Sequence, residues 1–441
     1  MANALTIAGS DSVGGAGLQA DLKAFEALGV HGCSVVTCVT SQNTKRVSSI
    51  FPIPSAEVAN QLLSVLEDVK LDAVKTGMLY SADIVKTVST HLRGVRAPIV
   101  VDPVMAATTG GELHVEGFAE ALMSRLLPMA ALVTPNIPEA ERLSGVKVKD
   151  ERSAKRAARE IMGLGPDAVL VKGGHLKGPD AADFLCWDGR IIKVISPRLD
   201  VEVHGTGCAF ASLIAGNLAL GLELEDAVRT SKSMIFKAVL AREKVGLGVP
   251  CANPLAVLRI EAQKASMLQE LEEAASRLEQ VMDSTLIPEV GTNMGFAVLG
   301  ALEPDEVAAF DGRVVRCGTK ARRIGCARFG ASKHVARIVL AASSRDPEAR
   351  CALNIKYSED NLALCRKAKL SVTSFDRARE PKGVSSMTWG VLDAIDRRGS
   401  VPDIIFDRGG VGKEPMIRLL GGSPQEVLFK LERIVAGRPR G

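Results

Sequence analysis

The chain has 441 residues, 46% of them hydrophobic, 24% charged and only 4% aromatic, with a formal net charge of +4. That length is too great for one ordinary core and predicts two domains, while no apolar run reaches the ~18 residues of a membrane helix. The nine cysteines are scattered without a C-x-x-C pair, and the Met-Ala-Asn-Ala start carries no secretory pattern, which argues against a disulfide framework or structural zinc and predicts a reducing cytoplasm.

The charge is unevenly spread. Residues 1–255 carry 26 Lys and Arg against 27 Asp and Glu, and residues 256–441 carry 29 against 24. Within 311–350 there are ten basic and three acidic residues, an excess that suits an anionic small molecule. Nucleic acid is not expected as a partner, because stacking aromatics are scarce and no nucleic-acid motif is present.

In chain order, the first informative run is Thr6-Ile7-Ala8-Gly9-Ser10-Asp11-Ser12-Val13-Gly14-Gly15-Ala16-Gly17. It reads as a strand that breaks at Gly9, a loop of small residues, and a helix over 18–28 with Leu18, Leu22, Phe25 and Leu28 on one face. Such a loop leaves room for a ligand beside bare backbone N–H groups. Strands are predicted at 34–39, 73–76, 99–102, 131–134 and 168–172, with helices at 56–66, 81–92 and 151–162 between them. This alternation predicts a mostly parallel sheet with helices on both faces. Ligands of such sheets sit beyond the carboxyl ends of the strands, and the polar motifs all follow strand ends.

Thr40-Ser41-Gln42-Asn43-Thr44 supplies an amide that can read a heterocycle edge with one donor and one acceptor, or simply satisfy a loop. Asp102-Pro103-Val104-Met105 puts a carboxylate at another strand end. Asn136-Ile137-Pro138-Glu139 has the spacing of a helix cap, the reading favoured on spacing alone, with two ligands that hold Mg²⁺ through water as the alternative. Lys172-Gly173-Gly174-His175 offers a lysine for nucleotide phosphates. His204-Gly205-Thr206-Gly207-Cys208 opens a small-residue helix whose free N–H groups favour an anion. Cys208 at the helix start is expected to have a lowered thiol pKa and to accept a proton from an attacking hydroxyl. The alternative is a buried structural thiol.

Over 255–285 the character changes. Leu268, Leu271, Ala275, Leu278 and Met282 step by three and four, which predicts an amphipathic helix packed on its own domain, with a short coiled-coil seam as the alternative. A second, separate α/β domain follows. Its motifs are the loop at 288–295 with Asn293, the basic stretch 322–337, and the glycine loop 407–415 with Lys413. Basic residues and glycine loops suit a phosphate ester or a diphosphate, and composition alone allows a solvated helix face for the basic stretch and a plain turn for the glycine loop.

Residues 1 to about 255 resemble the hydroxymethylpyrimidine (phosphate) kinases of the ribokinase-like superfamily. The likeness rests on Ala8-Gly9-Ser10-Asp11, Gln19-Ala20-Asp21, Gln42-Asn43-Thr44, Asp102-Pro103-Val104-Met105, Pro135-Asn136-Ile137-Pro138-Glu139-Ala140, Val171-Lys172-Gly173-Gly174-His175 and His204-Gly205-Thr206-Gly207-Cys208. The resemblance implies ATP and Mg²⁺, with Gln42, Asp11 and Met78 binding the aminopyrimidine. It implies Lys172, Gly205, Thr206 and Gly207 as the nucleotide anion site, and Asn136 and Glu139 as the magnesium site. Cys208 stands where most of the superfamily has a catalytic Asp. Val13 and Ala209 depart from the family pattern.

The second half resembles the thiamine-phosphate synthase domain fused behind such kinases. The matching segments are Gly291-Thr292-Asn293-Met294, Gly330-Ala331-Ser332-Lys333-His334 and Gly412-Lys413-Glu414-Pro415-Met416. Arg313 and His334 are assigned to catalysis, and Asn293 and Lys413 to substrate binding. Relatives of this domain also serve as sensors, so a kinase with a thiamine-phosphate-sensing domain is the competing reading. A pyridoxal-type vitamin kinase is disfavoured by the Gln42 segment and the fused second domain. The expected boundaries are 1–255 for the kinase, 256–285 for a helical connector and 286–441 for the synthase. The partners expected are small molecules and a second copy of the chain, with no membrane.

Overall fold

Side chains along the first strands alternate between two apolar cores. Leu5, Ile7, Val74, Val169 and Val171 enter one, and Ala4, Ala73, Ala168 and Leu170 enter the other. Both faces of the sheet are therefore covered, as a parallel sheet requires. The computed structural model describes residues 1–106, 113–174, 176, 178, 180–381, 386–410 and 412–438. His175 and Val411 of the motifs above lie outside the described residues. The chain divides into two units, Met1–Leu258 and Arg259–Gly441.

The first unit holds a nine-stranded sheet. Its strands are β1 (Asn3–Asp11), β2 (His31–Gln42), β3 (Val47–Pro52), β4 (Ala73–Thr76), β5 (Ile99–Val101), β6 (Leu132–Val133), β7 (Ala168–Val171), β8 (Asp180–Trp187) and β9 (Arg190–Pro197). The order is β3-β2-β1-β4-β5-β6-β7-β8-β9. Strands β2, β1, β4, β5, β6 and β7 run parallel, and β3, β8 and β9 are antiparallel additions at the two edges. Three helices position the site: α1 (Gly17–Ala27), α2 (Ile137–Ser144) and α3 (Thr206–Ala219).

Helix α4 (Ala256–Val281) spans the segment expected as a connector. From Ile260 onward its apolar face, including Leu271, Ala275 and Leu278, is built into the core of the second unit. The packed-helix reading of its three-four spacing fits this burial.

The second unit contains β10 (Met294–Ala297), β11 (Val307–Phe310), β12 (Val314–Cys317), β13 (Lys320–Arg323), β14 (Ala327–Phe329), helix α5 (Lys333–Ser343), β15 (Cys351–Lys356), β16 (Val372–Ser374), β17 (Ile404–Asp407) and β18 (Met416–Gly421). Its seven-stranded sheet has the order β14-β11-β10-β15-β18-β17-β16, and β12 and β13 form a separate hairpin. Only the β16–β17 pairing in that sheet is parallel. Among the described residues no helix is long and apolar enough to cross a membrane.

Candidate active sites

The carboxyl ends of six parallel strands meet at one cavity of about 410 Å³. Asp11 ends β1, Gln42 ends β2, Met78 follows β4, Asp102 follows β5, Asn136 and Glu139 follow β6, and Lys172 follows β7. All of these line the cavity, together with Gly205, Thr206, Gly207 and Cys208 at the start of α3. The structure thus gathers every residue the sequence assigned to the first site.

The anion end is made by the turn into α3. Gly205 caps the helix at φ +81°, and a Cβ there would lie 1.7 Å from the Gly15 carbonyl oxygen, so no other residue fits. The Thr206 hydroxyl donates to the Val203 carbonyl at 3.0 Å, which fixes the turn. Lys172 Nζ reaches this nest, 3.4 Å from where a Cβ on Gly207 would stand. It pairs with Asp102 at 2.7 Å, and burial against the attraction of Asp102 and Glu139 leaves its pKa raised.

The helix start does not lower the Cys208 thiol. Burial pushes it up to about 11, and Asp21 and Asp102 raise it further, while Lys75 pulls the other way. Desolvation of a thiolate outweighs the helix dipole here, so the group rests as a thiol. Lys75 is a residue that sequence reading passed over. It sits fully buried in β4, lines the cavity, and bonds Asp21 Oδ2 at 2.8 Å. Asp21 also accepts from Thr6 Oγ1 at 2.6 Å and Ser212 Oγ at 2.7 Å. The visible signal was a lysine in an otherwise apolar buried strand.

Asn136 and Glu139 form the cap expected on spacing. Asn136 Oδ1 accepts from the Glu139 N–H at 2.9 Å, and Glu139 Oε2 accepts from the Asn136 N–H at 2.8 Å. The cap turns Glu139 into the cavity, where burial raises its carboxyl to about 7 against the pull of Lys172. No group of three His, Cys, Asp or Glu gathers among the described residues to cage a metal. A buried carboxylate with Asp102 beside it is an all-oxygen set that suits a hard divalent cation held through water.

In the first loop, Asp11 accepts from the N–H groups of Val13, Gly15 and Ala16 at 2.8–3.0 Å. Burial raises its carboxyl, but the His204 bond and these amides outweigh that and hold it below the usual range. Its oxygens are thereby committed to the loop. Met78 packs with Cys38 and Leu113 as the apolar wall beside Gln42.

In the second unit the structure brings Arg313 and His334 into one field. Desolvation, then the positive charges of Arg418, Arg313, Arg377 and Arg337, push the His334 imidazole down to about 4, although the side chain reaches solvent at the start of α5. Arg313 adopts φ +71° and donates to the Val290 carbonyl. Asn293 is buried. Its amide exchanges both bonds with the backbone of Phe310, at 2.8 and 3.0 Å, and pins β10 to β11. Lys413 is held by Glu380 at 2.9 Å. A second cavity, of about 370 Å³, is lined by Arg377, Arg379, Arg397 and Arg408, none of which was singled out from sequence. Arg377 and the buried Arg418 share the carboxylate of Asp407.

A mostly parallel sheet with a nucleotide-sized cavity, a helix-terminal anion nest and a buried lysine defines a ribokinase-like small-molecule kinase in the first unit. The comparisons narrow this. Residues 11–253 match the phosphomethylpyrimidine kinase family, and residues 270–433 match the family described as thiamine-phosphate synthase ThiN. The chain is 35% identical over 432 residues to the bifunctional thiamine biosynthesis protein ThiDN of Methanocaldococcus jannaschii, covering 98% of this chain and 97% of that one. It is 46% identical over 246 residues to a hydroxymethylpyrimidine/phosphomethylpyrimidine kinase of Streptomyces coelicolor, covering 56% of this chain and 91% of that one. Among solved structures, the pyridoxal kinase of Staphylococcus aureus in complex with AMP-PCP and pyridoxal is 33% identical, with a TM-score of 0.54, covering 59% of this chain and 96% of that one. The chain belongs to the family of bifunctional thiamine biosynthesis proteins that join a phosphomethylpyrimidine kinase to a thiamine-phosphate synthase.

Proposed function

We propose that the chain makes thiamine phosphate in two stages, the kinase lying within Met1–Leu258 and the synthase within Arg259–Gly441, the 256–285 segment expected as a connector belonging mostly to the second unit. The reading rests on one observation above all: a single cavity joins an amide suited to a heterocycle with a cationic anion nest. MgATP phosphorylates hydroxymethylpyrimidine and then its monophosphate. In each round an oxygen of the acceptor forms a bond to the γ-phosphorus, and the bond from that phosphorus to ADP breaks. Gln42 and Met78 hold the pyrimidine, while Lys172 and the Gly205–Gly207 amides bind the transferring phosphoryl group. Cys208 receives the hydroxyl proton in the first round, after losing its own to solvent, and returns to the thiol. Mg²⁺, held through water by Glu139 and Asn136, neutralises phosphate charge when bound.

In the second stage the bond from the pyrimidine methylene to diphosphate breaks, and the thiazole nitrogen forms a C–N bond to that carbon. The ring amine stabilises the cationic centre. The protein needs cations for the leaving diphosphate and alignment of two rings, with no general base. Arg313 and an unprotonated His334 suit this, since a neutral imidazole can share a proton with phosphate at neutral pH.

The purified chain incubated with hydroxymethylpyrimidine, thiazole phosphate and MgATP is expected to yield thiamine phosphate by mass. Accumulated pyrimidine diphosphate without product would favour the sensor reading of the second unit. Pyridoxal phosphorylation in place of the pyrimidine would overturn the kinase reading. Arg313→Ala and His334→Ala are each expected to cut coupling by ~10²-fold and to spare the kinase. Loss of both activities would point to misfolding.

Glu139 adds a pH test. A carboxyl titrating near 7 is mostly ionised at pH 8 and mostly protonated at pH 6. The KM for MgATP is expected to rise about tenfold as pH falls across that range. Glu139→Gln should be weak and nearly flat with pH. A wild-type KM that ignores pH would remove Glu139 from the magnesium site.

A further inference from the structure

His204 stands just before the Gly205 turn and is buried. Its Nε2 lies 3.1 Å from Asp11 Oδ2 and 2.9 Å from Gln42 Nε2. Its Nδ1 is buried with no hydrogen-bond partner among the described residues. One ring nitrogen therefore faces two groups, a carboxylate that only accepts and an amide that can present either end.

Proton counting selects one arrangement. With the proton on Nδ1, a buried N–H would be orphaned, and the bare Nε2 lone pair would face the Asp11 carboxylate. With the proton on Nε2, His204 donates to Asp11, and Nδ1 is an unpartnered acceptor, the cheaper orphan of the two. An Nε2–H cannot face the Gln42 NH₂, since both are donors. Gln42 must then turn Oε1 toward His204. Its NH₂ takes the place 3.3 Å from Thr40 Oγ1 and donates there, while the Thr40 hydroxyl still donates to the Ser10 carbonyl at 2.9 Å. The imidazole N–H, the Thr40 hydroxyl and one N–H of Gln42 then each have an acceptor.

We propose that His204 is a positioning residue for substrate selection: its Nε2–H, anchored by Asp11, orders the Gln42 amide with the acceptor on the His204 side and the donor on the Thr40 side. The second lone pair of Oε1 and the second N–H remain for a ligand. This deepens, and rests on, the reading of Gln42 as the pyrimidine contact. A 4-aminopyrimidine presents an N–H donor beside a ring-nitrogen acceptor. Its 4-oxo counterpart presents a carbonyl beside a ring N–H, the reverse pattern. A locked amide takes only the first, whereas an unlocked amide rotates by half a turn and takes either.

The test measures kcat/KM of the full chain for 5-hydroxymethyl-2-methylpyrimidine carrying 4-amino or 4-oxo, in wild type, His204→Leu and His204→Gln. Wild type is expected to prefer the amine by ~10²-fold or more. His204→Leu should bring the ratio within about tenfold, mainly by raising KM for the amine. His204→Gln, which carries an N–H at similar reach, should restore much of the preference. A role in packing alone would lower both substrates equally, and an unchanged ratio in His204→Leu overturns the proposal. The ¹⁵N shifts of the wild-type imidazole decide independently, even where the leucine variant does not fold. A proton on Nε2 supports the proposal, and a bare Nε2 overturns it. A wild type that phosphorylates neither pyrimidine defeats the functional reading, while the imidazole spectrum still tests the His204 lock.

Discussion

Cys208→Ala is expected to lower kcat for hydroxymethylpyrimidine phosphorylation by ~10²–10³-fold with KM near the wild-type value. On the proposed reading the pyrimidine is held by Gln42 and Met78, not by the thiol, so the loss falls on the transition state. The residual activity comes from the nest and Lys172, which the substitution leaves in place. The raised thiol makes the claim sharper. A group with its pKa near 11 is only ~10⁻⁴ ionised at pH 7, yet it is a strong acceptor once ionised. In a loose phosphoryl-transfer transition state the hydroxyl proton leaves late, where a strong acceptor helps most. Wild-type kcat is therefore expected to climb about one decade per pH unit above pH 7, until another step limits it. The alanine variant should lack that slope. A flat wild-type profile, together with a variant within about threefold of wild type, would assign the catalysis to the nest alone.

The same residue marks where sequence reading ran out. The pattern Gly205-Thr206-Gly207-Cys208 discloses a helix start, and the helix begins there. It does not disclose that Asp21 and Asp102, far away in the chain, add their charges to the desolvation that raises the thiol. Local motifs were legible because each lies in a short segment at a strand end, and the parallel topology then had to collect them. The 180–197 hairpin of β8 and β9 was missed because its charged ends and mixed interior show no clean alternation. In the second unit the cation-lined cavity draws Arg377 and Arg379 from one short turn, Arg397 from a helix and Arg408 from just after β17, so no single stretch announces it. Asn293 shows a related limit of local pattern. An amide beside glycines signals a ligand loop or a strand clasp equally well, and only the position of Phe310 decides.

Lys75→Met is expected to cost ~3–5 kcal/mol of stability in the first unit, read as a lower denaturation midpoint. The ammonium and the Asp21 carboxylate are both fully buried, and among the described residues Lys75 is the one cation bonded to that carboxylate. Burial lowers the lysine pKa, but Asp21 above all, with Cys208 and Asp102, raises it overall, so the charge persists throughout the working pH range. Removing it leaves Asp21 with two hydroxyl donors, Thr6 and Ser212, and no counter-charge. Thr6 lies in β1, Asp21 in α1, Lys75 in β4 and Ser212 in α3, so the cluster ties together the elements that carry the first loop and the nest. Neutralising the orphan with Asp21→Asn in the same chain should recover at least half of the loss. That double variant separates a buried-charge penalty from a packing defect, since a packing defect would persist. Lys75 also pulls the Cys208 thiol downward, so the refolded double variant should keep its fold and still lose kcat at neutral pH. A Lys75→Met chain that unfolds at the wild-type midpoint would show that the carboxylate is neutral when buried, and would detach Lys75 from both roles.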